Sequence, residues 1–530
     1  MAEPRNPVVL LPAELLLREL LLECAQHFPG LDIWITGGWV RDRLLGLPSS
    51  DLDLALSNMT GRAFGAFLQE FSARPDIESK YRQKAAGLGI PDSRFTRFHI
   101  MEKNAGAAKN LETAGGKLFG LDIDLANLRR ETYDGQSRNP QMEFGTPEED
   151  AFRRDATVNS LFYHLGKQEV VDLTGRGFED LDARIMRTPL DPRQTFMDDP
   201  LRVLRLIRIG SKLGFAIDPE AMHWMRHNEI RRALDTMIKR DRINIEVFKM
   251  MKDPDPVVAF QHLFEANLYT PVFLRLDSPL VQSLQAEFPV LGQAKSAPWP
   301  TPWPRAYRLL NQLLKNDIGS SNLSRMVQFE QNAEHVWTMA AYAPVAGARR
   351  SMLKQALQEA TAAMRLPTRL SKLLDAALTN FDSIQAIVDT VAEAHPPPRS
   401  IVGMALRSWG PTWSAQVTYV MLAQAVYEDE GYDDLSPLLT GPVLEKYSAF
   451  ADFVVDKGLW DALRPCLDGN EILDLLGLRA GGRFLKDVLD GLVAWQFDHQ
   501  HAGVEDAKAW LREERERLGV PLGRGAGPEG

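Results

Sequence analysis

Leucines recur at helical spacing through LPAELLLRELLLECAQHFP (residues 11–29), which predicts an amphipathic helix at the start of the chain. The next apolar run, Leu31–Ile35 (LDIWI), predicts a strand feeding directly into Thr36-Gly37-Gly38. Polar and apolar positions alternate from Asp51 to Leu54 within DLDLAL (Asp51–Leu56), and shorter β-like runs at Asp122–Leu128 and Val170–Leu173 lie among helical ones. From about residue 178 the period becomes helical, as in DPLRVLRLIRIGSKLGF and RINIEVFKMMK, with no further alternating strand run. The pattern predicts an α+β N-terminal part followed by an all-α remainder. Proline-rich breaks at 296–307 (SAPWPTPWPRAY) and 395–400 (HPPPRS) predict connections between helical subdomains, and the closing GRGAGPEG predicts a disordered tail.

Composition narrows the class. A chain of 530 residues, 45% hydrophobic and 25% charged, is ordinary globular material long enough for several domains. No apolar run of about 18 residues is present, so no membrane span is expected, and MAEPRNPVVLLPAELLL lacks the order of a secretory signal. An intracellular protein is expected. The two cysteines, Cys24 and Cys466, stand far apart without a CxxC or Cys/His cluster, which argues for buried free thiols over a disulfide or structural zinc. A formal charge of −10 argues against a protein that coats nucleic acid, though not against a local basic patch.

The densest chemistry lies in TGGWVRDRLLGLPSSDLDLAL (Thr36–Leu56). Glycine has no Cβ, so a strand ending in Gly37 and Gly38 lets backbone N–H groups approach a phosphate. Arg41 follows on the same side and can add charge-assisted donors. In a strand, Asp51 and Asp53 share one face while Leu52 and Leu54 take the other. Two like charges held together call for a cation. Magnesium suits oxygen ligands completed by water and phosphates, and a pair of such ions about 4 Å apart supports in-line displacement of pyrophosphate.

With GGWVRD, DLDLAL, RRDATVNSLFY (Arg153–Tyr163), DDPLRVLRLIR (Asp198–Arg208) and RDRINIE (Arg240–Glu246) in this order, the chain resembles the class II tRNA nucleotidyltransferases, the CCA-adding enzymes of the tRNA nucleotidyltransferase/poly(A) polymerase family. LETAGGKLFGLDIDLANLRRETY and FGTPEEDAFRRDATVNSLFY are most similar to the fungal members, and LDGNEILDLLGLRAGGRFLKDVLDGLVAWQ (467–496) resembles the family's tail. The resemblance implies a nucleotidyltransferase palm as head, then neck, body and tail. Its segments are expected as a helical extension at 1–30, head at 31–175, neck at 176–255, body at 256–440, tail at 441–520 and a disordered end at 521–530. It implies addition of C, C and A to the 3′ end of tRNA from CTP and ATP, with Mg2+ held by Asp51 and Asp53. Gly37, Gly38 and Arg41 would contact the nucleotide, and Arg153 and Arg154 the triphosphate, with Asp155 bracing the turn. The third catalytic carboxylate falls on DIDLANLR, where Asp122 and Asp124 share a face and the family's pattern favours Asp124; many members carry glutamate there.

Asp199 and Arg202 stand three apart in DDPLR, the spacing of neighbours on one helix surface, and Arg205 and Arg208 continue the stripe. Each such step drifts by roughly 60°, so base reading is assigned to the first pair, and ribose or triphosphate contact to Arg205 and Arg208. Cytosine and adenine both show an amino donor beside an unprotonated ring nitrogen. Asp199 can accept from the first while Arg202 donates to the second; guanine and uracil present the opposite pattern. Arg242 and Glu246, at i and i+4, read as a brace of the neck. RHNEIRRALDTMIKRDR (226–242) is a candidate RNA-facing basic run, with a solvated helix face as the alternative. The glycine-bearing segment 84–117 is a candidate mobile loop for the switch from C to A. Competing readings are CC-only, A-only or poly(A) addition by a relative, and a noncatalytic RNA-binding protein. Partners implied are the tRNA 3′ end, CTP and ATP, with no membrane and a monomeric state. The expected compartment is the cytoplasm, with the nucleus and mitochondrion as further sites.

Overall fold

The structure, a computed structural model, describes residues 8–90, 96–101, 112–132, 141–287, 300, 303–329, 333–393, 395–427, 441–460, 464–478 and 480–520. The expected tail at 523–530 and most of the 91–111 stretch of the candidate loop lie outside them. Two compact units divide the chain, Met1–Pro271 and Val272–Gly530.

The first unit is built on a mixed sheet. In chain order its elements begin with α1 (Pro12–Ala25), β1 (Ile33–Thr36), α2 (Gly38–Leu44), β2 (Asp51–Leu56), α3 (Gly61–Ser72) and α4 (Pro75–Gly87). There follow β3 (Thr96–Met101), β4 (Thr113–Leu118), β5 (Leu121–Asn127), the β6–β7 hairpin (Arg129–Thr132 and Gln141–Phe144), α5 (Pro147–Phe152), β8 (Leu161–His164) and β9 (Glu169–Asp172). The sheet order is β3-β4-β5-β2-β1-β8-β9. β2 and β5 pair in parallel, the other neighbours antiparallel. Period-2 alternation holds as read: Leu52 and Leu54 are buried while Asp51 and Asp53 face out, and Ile123 and Leu125 are buried while Asp122 and Asp124 face out. One face therefore packs on α3 and the other keeps its carboxylates free for chemistry.

Local chemistry sets the helix ends. Thr60 caps α3 by accepting from Ala63 N at 3.2 Å, and Thr146 and Glu149 form a capping box on α5. The opening helix ends at Ala25, earlier than its leucine period predicts. His27 and Phe28 leave it to pack against Phe64, Phe67 and Phe71.

Beyond the sheet come α6 (Gly177–Ala183), β10 (Ile185–Met186), α7 (Pro192–Asp198), α8 (Leu201–Leu213), β11 (Ala216–Ile217), α9 (Pro219–Met225), α10 (Asn228–Met237), α11 (Arg240–Lys252) and α12 (Pro256–Glu265). The short parallel pair β10–β11 departs from the expectation of helix alone after residue 178; two residues give no readable alternation. A second correction concerns Asp199. It lies between α7 and α8 in extended backbone (φ −141°, ψ 99°), off the helix that bears Arg202, and its Oδ1 accepts from Leu201 N at 3.1 Å.

The second unit is helical throughout its described residues. The helix Trp413–Tyr427 is buried on nearly every side, as its apolar sequence requires, and the helices Trp303–Leu314 and Ala333–Tyr342 pack around it. A smaller core gathers Ile472, Leu476, Val488, Leu492, Ala507 and Leu511 towards the C-terminus. Within the proline-rich stretches, Trp303 opens one helix and Pro398 directly precedes Arg399–Trp409, consistent with proline's fit at helix starts.

Candidate active site

Strand register assembles the first part of the site. Thr36 pairs with Asp53 across β1 and β2, and Asp53 with Asp124 across β2 and β5, so the glycine turn and two carboxylates lie side by side. Gly37 has φ +75°, a conformation that suits glycine, and a Cβ there would lie 3.3 Å from Arg154 Nη1 and 3.4 Å from Asp53 Oδ2. Gly115, opposite Asp124 on β4, leaves the space that Asp124 uses: a Cβ would sit 2.3 Å from its Oδ1. Asp122, two residues earlier on the same face of β5, lies 3.5 Å from Lys117 Nζ.

These residues open onto a cavity of about 640 Å³. Gly37, Gly38, Arg41, Asp53, Asp124, Arg153, Arg154, Asp199, Arg202, Arg205 and Arg208 all line it. Of the residues given a catalytic or nucleotide-binding role from sequence, Asp51 alone is not among its lining; it sits exposed at the first position of β2, level with Asp122. Eight arginines face six acidic side chains across the cavity, so the site is locally cationic within an acidic chain, as a triphosphate requires.

Acidic side chains hold those arginines in place. Asp150, 1% exposed, accepts from Arg153 Nη2 at 2.6 Å, Arg154 Nη2 at 2.9 Å and the Arg129 backbone N–H at 3.2 Å. Burial opposes its ionisation, but Arg154 and Arg153 prevail and keep the carboxyl below its ordinary range. Asp155 shows the same balance. Burial is offset by Arg205, whose Nη2 lies 2.7 Å away, with Asn159 donating at 2.9 Å, and the pKa is held well down. Arg205 is raised in turn by Asp155. Arg41 is buried, its guanidinium shared between Asp42 (Nε at 2.8 Å) and Asn159. Arg202 donates to the Arg153 carbonyl at 2.8 Å and lies 3.7 Å from Glu131, while Arg208 meets Glu246 at 2.6 Å.

Sequence reasoning missed Asp150, Glu131 and Asn159. Asp150 was within reach, since at i−3 and i−4 from the two arginines it shares their helix face. Glu131 was not, because it arrives on the β6–β7 hairpin. Arg242, read as a neck brace, instead lines the cavity and lies 3.3 Å from Asp199 Oδ2. Within the basic run at 226–242, Arg226, Arg231 and Arg240 donate to the carbonyls of Glu265, Asn267 and Pro271, so half of that run is committed to the fold.

Asp53 behaves differently from the braced acids. Surrounding protein raises its pKa first, the negative charges of Asp124 and Asp51 add to that, and Arg154 offsets only part. Hard oxygen donors crowded around a carboxylate whose own pKa is raised suit a divalent cation. Among the described residues no three His, Cys, Asp or Glu side chains are grouped so as to hold a metal ion.

A glycine turn beside paired carboxylates on a mixed sheet, opening onto an arginine-lined cavity, defines a nucleotide-transferring palm. A family model described as the Poly A polymerase head domain matches residues 33–187. Over longer spans the chain is 34% identical to the nucleotidyltransferase lcsQ of Purpureocillium lilacinum (92% of this chain, 87% of that one). It is 32% identical to the mitochondrial CCA tRNA nucleotidyltransferase of Saccharomyces cerevisiae (88% and 85%). Its fold matches an apo CCA-adding enzyme with TM-score 0.63 at 17% identity, covering 95% and 96% of the two chains. The Thermotoga maritima CCA-adding enzyme, solved with tRNA, matches with TM-score 0.62 at 15% identity over 96% and 99%. The chain belongs to the class II tRNA nucleotidyltransferases, and it is a nucleotidyltransferase enzyme. Enzymes of this superfamily use divalent metals.

Proposed function

We infer that this enzyme adds C, C and A to the 3′ end of tRNA from CTP and ATP without a nucleic-acid template. The observation that supports this most is the shared cavity: Asp53, Asp124 and Gly37 at one wall, with Asp199 and Arg202 among the same lining. The relatives' designation as CCA tRNA nucleotidyltransferases adds the substrate.

In this reading the tRNA 3′-hydroxyl oxygen attacks the α-phosphorus of the bound nucleotide, a phosphodiester forms, and pyrophosphate leaves with the broken P–O bond. Asp51 and Asp53 would hold Mg2+, with Asp124 closing the acidic wall. Magnesium, when bound, would neutralise triphosphate charge and bring hydroxyl and phosphate together. Arg153 and Arg154, oriented by Asp150, take the triphosphate; Arg205 and Arg208 contact it or the ribose. Asp199 accepts from the amino group of C or A while Arg202 donates to the ring nitrogen. Guanine or uracil would leave both groups facing like partners, and unpaired buried polar groups can reject a substrate by as much as roughly 10⁴-fold. The mitochondrial designation of the yeast relatives supports a mitochondrial share of the enzyme, with cytoplasm and nucleus as its other compartments.

The test offers tRNA transcripts that end before CCA, after CC, or complete, with each nucleotide singly and in mixture. CMP enters the first, AMP the second, and the complete tRNA is left alone. Addition of only C, only A, or an adenylate tail would contradict the reading.

A further inference from the structure

The matched head domain begins at residue 33, yet a buried carboxylate from outside it grips α2, the helix that follows the glycine turn. Glu14 of α1 is 2% exposed. Its Oε2 accepts from the backbone N–H of Leu11 at 2.7 Å, and its Oε1 accepts from the indole Nε1–H of Trp39 at 3.0 Å and from Arg43. Trp39 is 1% exposed, edge-on to Tyr163 of β8, with the Arg43 guanidinium 5.5 Å from its ring. One turn further along the same face of α1, Arg18 Nε donates to the Leu165 carbonyl at 2.7 Å. The helix is therefore fixed both to the sheet and to α2.

Trp39 and Arg43 stand i, i+4 on α2 and form one face, whereas Arg41 lies about 200° round from Trp39. That opposite face meets Asn159 and the cavity. α2 has only seven residues, starting at Gly38, and too little length to hold its own orientation. We propose that Glu14 is a positioning residue for nucleotide binding, gripping the outer face of α2 so that the Gly37-Gly38 turn and Arg41 on its inner face keep their places at the cavity. This rests on the nucleotide-binding reading of that cavity.

Glu14→Ala is expected to weaken CTP and ATP by the same factor, on the order of tenfold, seen as KM in incorporation and as Kd in titration of CTP without tRNA. The kcat, the tRNA affinity and the preference over UTP and GTP should hold, because α1 touches none of the groups that read the base. Glu14→Gln retains an oxygen acceptor for Leu11 or Trp39 and should recover most of the affinity. A folded Glu14→Ala protein with wild-type CTP affinity, or with its loss confined to kcat, would overturn the proposal. Should alanine prevent folding, Trp39→Phe removes the indole donor; a severalfold rise in CTP Kd supports the proposal and an unchanged one overturns it. Failure of the wild-type chain to incorporate CMP and AMP would instead sink the functional reading, and the CTP titration would still judge Glu14 separately.

Discussion

Arg202 is 8% exposed and enters the cavity already oriented, with the Arg153 carbonyl and Glu131 at its guanidinium. A side chain fixed before substrate arrives can discriminate without reorganising, so its loss should cost selectivity more than turnover. Arg202→Ala is expected to lower the ratio of CMP to UMP incorporation by at least about tenfold; an unaltered ratio in competition assays would show that this residue does not read bases. At this scale much was legible. The alternation of DLDLAL put Asp51 and Asp53 on one face, and they are there. The misplacement of Asp199 was avoidable, because a residue before proline is driven out of the helical region, and Pro200 follows it. Long-range braces were not legible. Glu131 and Asn159 reach Arg153 and Arg41 only after the hairpin and β8 have been folded into place.

Among elements, β4 shows how a strand serves a site without a reactive side chain of its own. Gly115 gives Asp124 its room, and a methyl group 2.3 Å from Oδ1 would force the carboxylate aside. Gly115→Ala should therefore leave the melting temperature within a few degrees while reducing kcat by more than about tenfold; wild-type kcat in a folded variant would contradict the placement of Asp124. Strands β1, β2, β5 and β9 were readable from the sequence. Strand order was not. β2 pairs in parallel with β5 although β3 and β4 lie between them in the chain, and no local pattern specifies that crossover. The pair β10–β11 escaped for a different reason, since strands of two residues fall below any periodicity.

On the scale of the molecule, a chain of net charge −10 concentrates eight arginines around one cavity of its first unit. Net charge argued against a protein that coats nucleic acid and left a local basic patch open without locating it; this excess arises when motifs some 150 residues apart in sequence fold onto one cavity. The second unit was legible only as helices, because its apolar periods fix helix faces and leave their packing partners open. All of the chemistry assigned to the enzyme converges on Asp53, where the glycine turn, Asp124 and Arg154 meet. The direct measurement is single-turnover incorporation of CMP and AMP by Asp53→Asn, with tRNA binding followed in parallel. Abolished incorporation with tRNA affinity within about twofold of wild type is the predicted result; incorporation at the wild-type rate would contradict the assignment of catalysis to this cavity.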